Sequence, residues 1–257
     1  YCGFLIVWWL LSPQKLWPSA STSFTLSDLM LPLRAGGWFF LLTISLFFIQ
    51  SLDRFAVLQL GDVQAQTMFG VGFLFYQMGI IVINSIGKVA GPMIISGQSK
   101  FSERQSTNML CLFCLAAYFL VFLFYLAVST AAADRIPIRF QAAQDVATYY
   151  LTSGFITALG LALVPELLKN NSEKLLLLIV GAICLFFCGI ITFSPGVFQM
   201  PKDFAVFSLL IATFFSLATI HAPVQQKKIR LGHQDLMLRT GCVLVMATIP
   251  LITALGG

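Results

Sequence analysis

Long apolar segments recur along this chain, with only short polar breaks between them. A helix needs about 20 predominantly apolar residues to cross the hydrocarbon core of a bilayer. The segments lie near residues 1–11, 31–60, 67–96, 107–129, 147–168, 174–194, 204–223 and 239–257. The first is about half a span, so the pattern predicts about seven transmembrane helices plus one partial helix. The segments at 31–60 and 67–96 are long enough to require tilting or kinking.

The composition excludes most water-soluble classes of protein. Of the 257 residues, 58% are hydrophobic and only 10% are charged, and the mean hydropathy is +0.90. A soluble domain is about 25% charged, so these few charges cannot cover the surface of a soluble particle of this size. The net charge of +5 is not gathered into a footprint for nucleic acid. The sequence therefore predicts an all-α polytopic membrane protein that does not bind nucleic acid.

The distribution of basic residues predicts the orientation of the chain in its membrane. Alternate breaks collect 11 Lys and Arg residues on one side of the membrane and four on the other. Cytoplasmic loops carry the excess of Lys and Arg, so we expect the loops at 12–30, 97–106, 169–174 and 224–238 to be cytoplasmic. Both ends of the sequence interrupt apolar runs, and we therefore expect a piece of a longer transporter. Its predicted parts are the end of a truncated transmembrane helix (1–11), a cytoplasmic linker (12–30), a six-helix bundle (31–223), and a basic cytoplasmic loop with an additional helix (224–257).

Motifs for enzymatic chemistry are absent from the sequence. It contains no G-x-x-x-x-G-K-[ST] loop, no H-E-x-x-H helix and no G-x-S-x-G elbow. Cys111 and Cys114 form a C-x-x-C, but within an apolar run we interpret them as small buried hydrophobic residues. We therefore expect a protein that is not an enzyme and has neither a metal site nor a cofactor.

The informative residues are charges inside apolar segments, because such charges are costly unless paired or hydrated. Asp53 and Arg54 lie within the segment 31–60, about 100° apart on a helix, so we expect each to have its own environment. In one interpretation, Asp53 binds a coupling cation or proton and Arg54 binds an anionic headgroup. In the other, the two residues anchor the end of the helix at the membrane interface. Asn84 and Lys88 share one helix face. With Arg34 they form a candidate pathway for a lipid-linked pyrophosphate, and snorkelling to the interface is the alternative for Arg34 and Lys88.

Three further residues in the segment 67–96 affect helix geometry. Gly87 and Gly91 form a small-x-x-x-small pair that lets another helix approach closely. Pro92 removes a backbone hydrogen bond and should bend or end the helix just beyond it. A moving gate and simple helix packing both explain this cluster.

Residues 31–103 resemble polysaccharide flippases, of the O-antigen and teichoic-acid type, in the multidrug/oligosaccharidyl-lipid/polysaccharide exporter superfamily. The matching elements are Leu31-Pro32, Asp53-Arg54-Phe55, Gly61-Asp62, Phe69-Gly70 with Tyr76-Gln77, and Gly91-Pro92. Val71-Gly72-Phe73 stands where the family has a Gly-x-Tyr turn. The resemblance implies the C-terminal bundle of a two-bundle transporter.

The function implied by this resemblance is flipping of undecaprenyl-pyrophosphate-linked sugar repeat units across the plasma membrane by alternating access. The expected partners are the glycolipid, membrane lipid and glycan polymerase machinery. A cation-coupled multidrug exporter is the alternative with the same fold, and a membrane-embedded glycan polymerase or acyltransferase is the alternative from a different class.

Overall fold

The described part of the chain is built from α-helices. A computed structural model describes residues 40–41, 43–96, 103–131, 138–169, 173–225 and 232–255. The chain divides into two units, Tyr1–Phe40 and Leu41–Gly257, and the second contains every helix labelled here. These helices are α1 (Leu52–Leu60), α2 (Val63–Ser96), α3 (Glu103–Ala131), α4 (Ile138–Lys169), α5 (Glu173–Phe193), α6 (Pro201–Gln225) and α7 (His233–Leu255), with a 3₁₀ turn at Pro195–Val197.

Six helices within the described ranges, α2 to α7, are long and apolar enough to cross a membrane. The predicted class, a multi-pass helical membrane protein, is therefore confirmed. The predicted segment 31–60 is not among the six. Its described part is helical at 43–49, turns at 50–51, and continues as the nine-residue α1. This break gives the long segment a kink.

Helix α4 lies at the centre of the bundle. Of its membrane-spanning stretch 83% is buried inside the protein, against 22% for α3 and for α5. Residues 151–160 are buried without interruption, so every face of this part of α4 meets another helix. The neighbours of α4 include α2, α6 and α7. Although the sequence set residues 224–257 apart from the bundle, α7 packs within the same unit.

Glycines allow α2 and α4 to approach at backbone distance. A Cβ atom at Gly79 would lie 2.6 Å from the backbone nitrogen of Phe155, and one at Gly154 would collide with the backbone of Tyr76. A Cβ atom at Gly72 would collide with the ring of Tyr150. Small residues serve this purpose at helix interfaces in membranes. Close packing of α2 therefore uses glycines that precede the predicted pair at 87 and 91.

We predict that Gly79→Ala destabilises the protein, because the added methyl group meets main-chain atoms of α4. Overpacking of this kind costs about 1–3 kcal/mol. Gly70→Ala is the matched control, since no heavy atom lies within 4 Å of its added carbon and it is on the same helix. The control should be neutral or stabilising by up to about 1 kcal/mol, owing to the higher helix propensity of Ala. Unfolding in detergent measures both, and equal effects of the two substitutions would contradict the close crossing.

Candidate functional site

The kink before α1 places Asp53 in the first helical turn, where its side chain enters the bundle. The residue is only 5% exposed. The Ser208 hydroxyl donates a hydrogen bond of 3.0 Å to Asp53 Oδ2, and the backbone N–H of Arg54 donates one of 2.8 Å to Oδ1. Within the described ranges, no salt bridge to this carboxylate occurs. The carboxylate is therefore buried with hydroxyl and amide donors alone.

Four helical segments meet around this carboxylate and enclose a small polar cavity, which we call the Asp53 pocket. Its polar lining comes from Gln50, Asp53, Tyr76, Thr157 and Ser208. The Tyr76 hydroxyl is hydrogen-bonded to the Thr157 side chain. The cavity measures about 10 Å³, counted as space available to the centre of a water molecule. That is about the minimum needed for one water molecule, so the pocket excludes a sugar or a drug.

The chemistry of the Asp53 pocket suits a small cation. One carboxylate with neutral hydroxyl and amide oxygens is the ligand type that hard cations prefer. In the part of the chain that the structure describes, no group of three or more His, Cys, Asp or Glu residues could hold a metal ion. A single negative charge matches a proton or a monovalent cation.

Arg54 has a different environment from that of Asp53. Its guanidinium carbon lies 3.9 Å from the centroid of the Phe73 ring on α2, a cation–π contact. Its Nε atom is buried and has no hydrogen-bond partner among the described residues. The two adjacent side chains thus occupy separate sites, as their helical spacing predicts.

Polar residues on α2 continue from the Arg54 contact along one edge of the helix. Gln66 is exposed, and Gln77 and Asn84 are partly exposed. With Phe73 they are spaced by seven, four and seven residues, so they align on one helix face. We call Gln66, Phe73, Gln77 and Asn84 the polar stripe. It runs for roughly 27 Å at the rise of an α-helix, which is close to the thickness of the hydrocarbon core.

The remaining predicted site residues are Arg34, Gly87, Lys88, Gly91 and Pro92. The helical repeat continues the polar stripe to position 88. The backbone of α2 is helical through Gly87, Gly91 and Pro92 and ends at Ser96. Arg34 and the side-chain surroundings of the residues from 86 to 96 lie outside what the structure describes.

A second buried polar cluster joins α3, α4 and α7. Arg239 is 1% exposed, and its Nη1 atom lies 2.9 Å from Glu166 Oε2. Its Nε atom donates a hydrogen bond of 2.9 Å to Asn108 Oδ1, and Asn108 Nδ2 donates one of 2.7 Å to Asp235 Oδ1. Each helix therefore contributes a charged or amide side chain to one network.

Sequence reasoning missed this network. Hydropathy did not single out Glu166, which lies near the end of α4 and whose carboxylate is buried in an ion pair with Arg239. Arg239 begins the last apolar segment, 239–257, and was counted only as one of the basic residues on the cytoplasmic side. The available signal was the position of Glu166 and Arg239 at the borders of apolar segments, where an ionisable residue needs a partner. Their separation of 73 residues along the chain hid the pairing.

We predict that Glu166→Gln and Arg239→Gln each destabilise the protein by about 3–5 kcal/mol, because each leaves a buried charge without its partner. The double variant should cost clearly less than the sum, since it removes both charges. Lys202→Gln, at an exposed side chain, is the control and should change the free energy of unfolding by no more than about 0.5 kcal/mol. Additive effects of the two buried substitutions would show that the ion pair does not contribute as a pair.

No family model matches the chain, and neither the curated proteins nor the solved structures include a significant match. Its function is therefore inferred from its own residues and their geometry.

Proposed function

We propose that this chain is the C-terminal bundle of an ion-coupled flippase that moves lipid-linked oligosaccharide repeat units across the plasma membrane by alternating access. The observation that carries the proposal is the buried Asp53 carboxylate, held between kinked and membrane-spanning helices in a pocket the size of one small ion. Ionisable residues buried in membrane proteins mark ion and substrate pathways. The absence of a P-loop from the sequence favours an ion gradient or the membrane potential as the source of drive.

The Asp53 pocket supplies a physical basis for coupling. A carboxylate in a low-dielectric interior is stabilised when it binds a cation or a proton. Binding would favour the arrangement in which Ser208 and Thr157 close around Asp53, and release would favour a more open one. The helix break at 50–51 offers a place for α1 to move relative to the rest of its span.

The polar stripe and Arg54 supply a path for the headgroup. A guanidinium can bind phosphate through two parallel hydrogen bonds, and a lysine acts as a point charge. Arg54 would therefore contact the pyrophosphate, with Lys88 and Arg34 towards the cytoplasmic end of the path. Gln77 and Asn84 offer amide groups for sugar hydroxyls. The carrier expected from the family resemblance is undecaprenyl pyrophosphate, and a glycan polymerase would use the translocated product.

The Asp53 pocket also favours a second candidate, a cation-coupled multidrug exporter. Tyr76 contributes a ring to the pocket wall and stacks at 6.0 Å on Phe73, the ring beneath Arg54. An acidic residue beside aromatic rings is typical of sites that recognise organic cations. In this alternative the same coupling site drives a different cargo.

We predict that Asp53→Asn abolishes gradient-driven transport while downhill exchange of substrate continues, because the substituted amide cannot take up the coupling charge. Driven uptake of fluorescent lipid-linked oligosaccharide into proteoliposomes of the complete transporter should fall by at least about tenfold, equivalent to ~1.4 kcal/mol. Asp62→Asn is the matched control. Asp62 is exposed and caps α2 through the Ala65 N–H, and Asn preserves such a cap.

Arg54→Lys separates substrate recognition from coupling in the same assay. It retains the charge and removes the planar fork, so exchange and driven transport should weaken together. Driven transport that survives Asp53→Asn would contradict the coupling role. Extrusion of cationic dyes with no movement of glycolipid would establish the multidrug alternative and overturn the flippase proposal.

A further inference from the structure

Two buried hydroxyl groups of α4 have no part in the transport cycle proposed above. Tyr150 is 1% exposed and Ser153 is fully buried. Neither hydroxyl has a hydrogen-bond partner among the described residues. A buried hydroxyl costs free energy unless it is satisfied, and buried water is the usual partner where the protein supplies none. The positions of these two groups relative to Asp53 therefore bear on what can reach its carboxylate.

Helix α4 directs Ser153 towards the same space as Thr157, which lines the Asp53 pocket. Gly154 lies against the backbone of α2, and Gly160 lies against side chains of α6. At about 100° per residue, Ser153 and Thr157 fall between these two contacts. Asp53 occupies the same space, since its carboxylate is hydrogen-bonded to α6 and its pocket is also lined by α2. Ser153 thus faces the region of Asp53 from one turn before Thr157.

Tyr150 continues this row towards the beginning of α4. It precedes Thr157 by seven residues, so the two side chains leave the same helix face about 10 Å apart. The Tyr150 ring packs over Gly72, and its hydroxyl is close enough to the Asp53 carboxylate for the two groups to interact electrostatically. We call Thr157, Ser153 and Tyr150 the hydroxyl row. Because the loop after α4 is predicted to be cytoplasmic, the row leads from Asp53 towards the opposite side of the membrane.

The Asp53 pocket suits a proton better than a metal cation. A metal cation needs a shell of several oxygen ligands. Both oxygens of Asp53 already accept hydrogen bonds, from the Ser208 hydroxyl and from the Arg54 N–H. The hydroxyls of Tyr76 and Thr157 are hydrogen-bonded to each other. A proton needs only one carboxylate oxygen, and a pocket with room for one water molecule is large enough to deliver it.

Asp53 is the group in this region that can accept a proton. Arg54 of α1, Tyr76 of α2 and Tyr150 of α4 interact electrostatically with its carboxylate. Arginine stays charged and tyrosine stays neutral near neutral pH. Helix α6 presents the Ser208 hydroxyl, which does not titrate. Helix α5 also packs against α1, and the ionisable groups of its span beyond the first residue are two cysteine thiols.

We propose that Ser153 and Tyr150 bind buried water that carries the coupling proton between Asp53 and the end of the bundle where α4 begins. This route rests on the coupling role proposed for Asp53, and it adds the identity of the ion and its path. An arriving proton binds a carboxylate oxygen and converts the carboxylate into a neutral acid, and on release it returns to the same water. Ser153 and Tyr150 are positioning residues, because they hold the water and do not themselves ionise. Chains of buried polar groups serve as proton relays in other membrane proteins.

Radiolytic labelling of the complete transporter tests for the water directly, because hydroxyl radicals formed from a bound water molecule oxidise the ring beside it. Tyr150 should be labelled although it is buried. Tyr118 is the matched control, since it is also buried and its hydroxyl lies 3.0 Å from Thr152 Oγ1, which satisfies it without water. Labelling of Tyr150 that does not exceed that of Tyr118 would overturn the proposal.

Tyr150→Phe and Ser153→Ala each remove a hydroxyl that is not bonded to the described protein, so both variants should fold. In proteoliposomes, the ratio of proton-driven transport of lipid-linked oligosaccharide to downhill exchange should fall by roughly tenfold or more in the double variant, because proton transfer depends strongly on positioned groups. Tyr118→Phe and Ser216→Ala remove buried hydroxyls that are bonded within the protein, and should leave the ratio unchanged. An unchanged ratio in the double variant would overturn the route.

The identity of the driving ion separates a failure of this route from a failure of the proposed function. Transport that is driven by a sodium gradient and not by a proton gradient, and that Asp53→Asn still abolishes, would overturn the proton route and leave the coupling role of Asp53 intact. Driven transport that survives Asp53→Asn would overturn the proposed function and the route with it. Proton-driven transport that requires Asp53 and weakens with the hydroxyls of Tyr150 and Ser153 supports both.

Discussion

Close contact between the backbones of α2 and α4 determines where the polar groups of the bundle meet. Gly79 and Gly154 bring the two main chains together. Tyr76 lies one turn before Gly79 and Thr157 one turn after Gly154, so the crossing brings their hydroxyl groups within hydrogen-bonding reach beside Asp53. A larger residue at the crossing would separate the helices and open the pocket. The geometry of the candidate ion site therefore depends on glycine at positions 79 and 154, where a larger side chain would hold the two helices apart.

The two buried polar clusters solve the problem of charge in an apolar interior in different ways. Arg239 and Glu166 neutralise each other directly, which stabilises one arrangement of α4 and α7. Asp53 has only hydroxyl and amide donors among the described residues, and its environment leaves room for one small ion. The ion pair of Arg239 and Glu166 holds α4 and α7 together without any ligand. The charge of Asp53 would be neutralised only when a proton or a cation binds, and a coupling site requires this property.

Hydropathy was sufficient to predict the fold class, because a chain in a bilayer must satisfy its backbone hydrogen bonds within each helix. It was also sufficient to single out Asp53, since an acid inside an apolar segment demands an explanation. Hydropathy could not identify which helices pack against each other. The pairing of Glu166 with Arg239, and the use of Gly72 and Gly79 for close packing, depend on which helices lie side by side. That arrangement is encoded by contacts between residues distant in sequence, on which a single periodic pattern carries no information.

The contrast between the most buried span and the two least buried ones follows from the same constraint. Helices α3 and α5 are the two most apolar, and only 22% of each spanning stretch is buried. Helix α4 is the least apolar and the most buried. In a water-soluble protein the most buried helix would be the most apolar. In a bilayer, apolar side chains are as stable against lipid as against other helices, because lipid tails are as apolar as leucine. Burial in α4 goes instead to polar groups such as the hydroxyls of Thr152 and Thr157 and the carboxylate of Glu166. Tyr76 of α2 and Thr157 of α4 therefore meet inside the bundle, where hydroxyl and amide groups surround the Asp53 carboxylate.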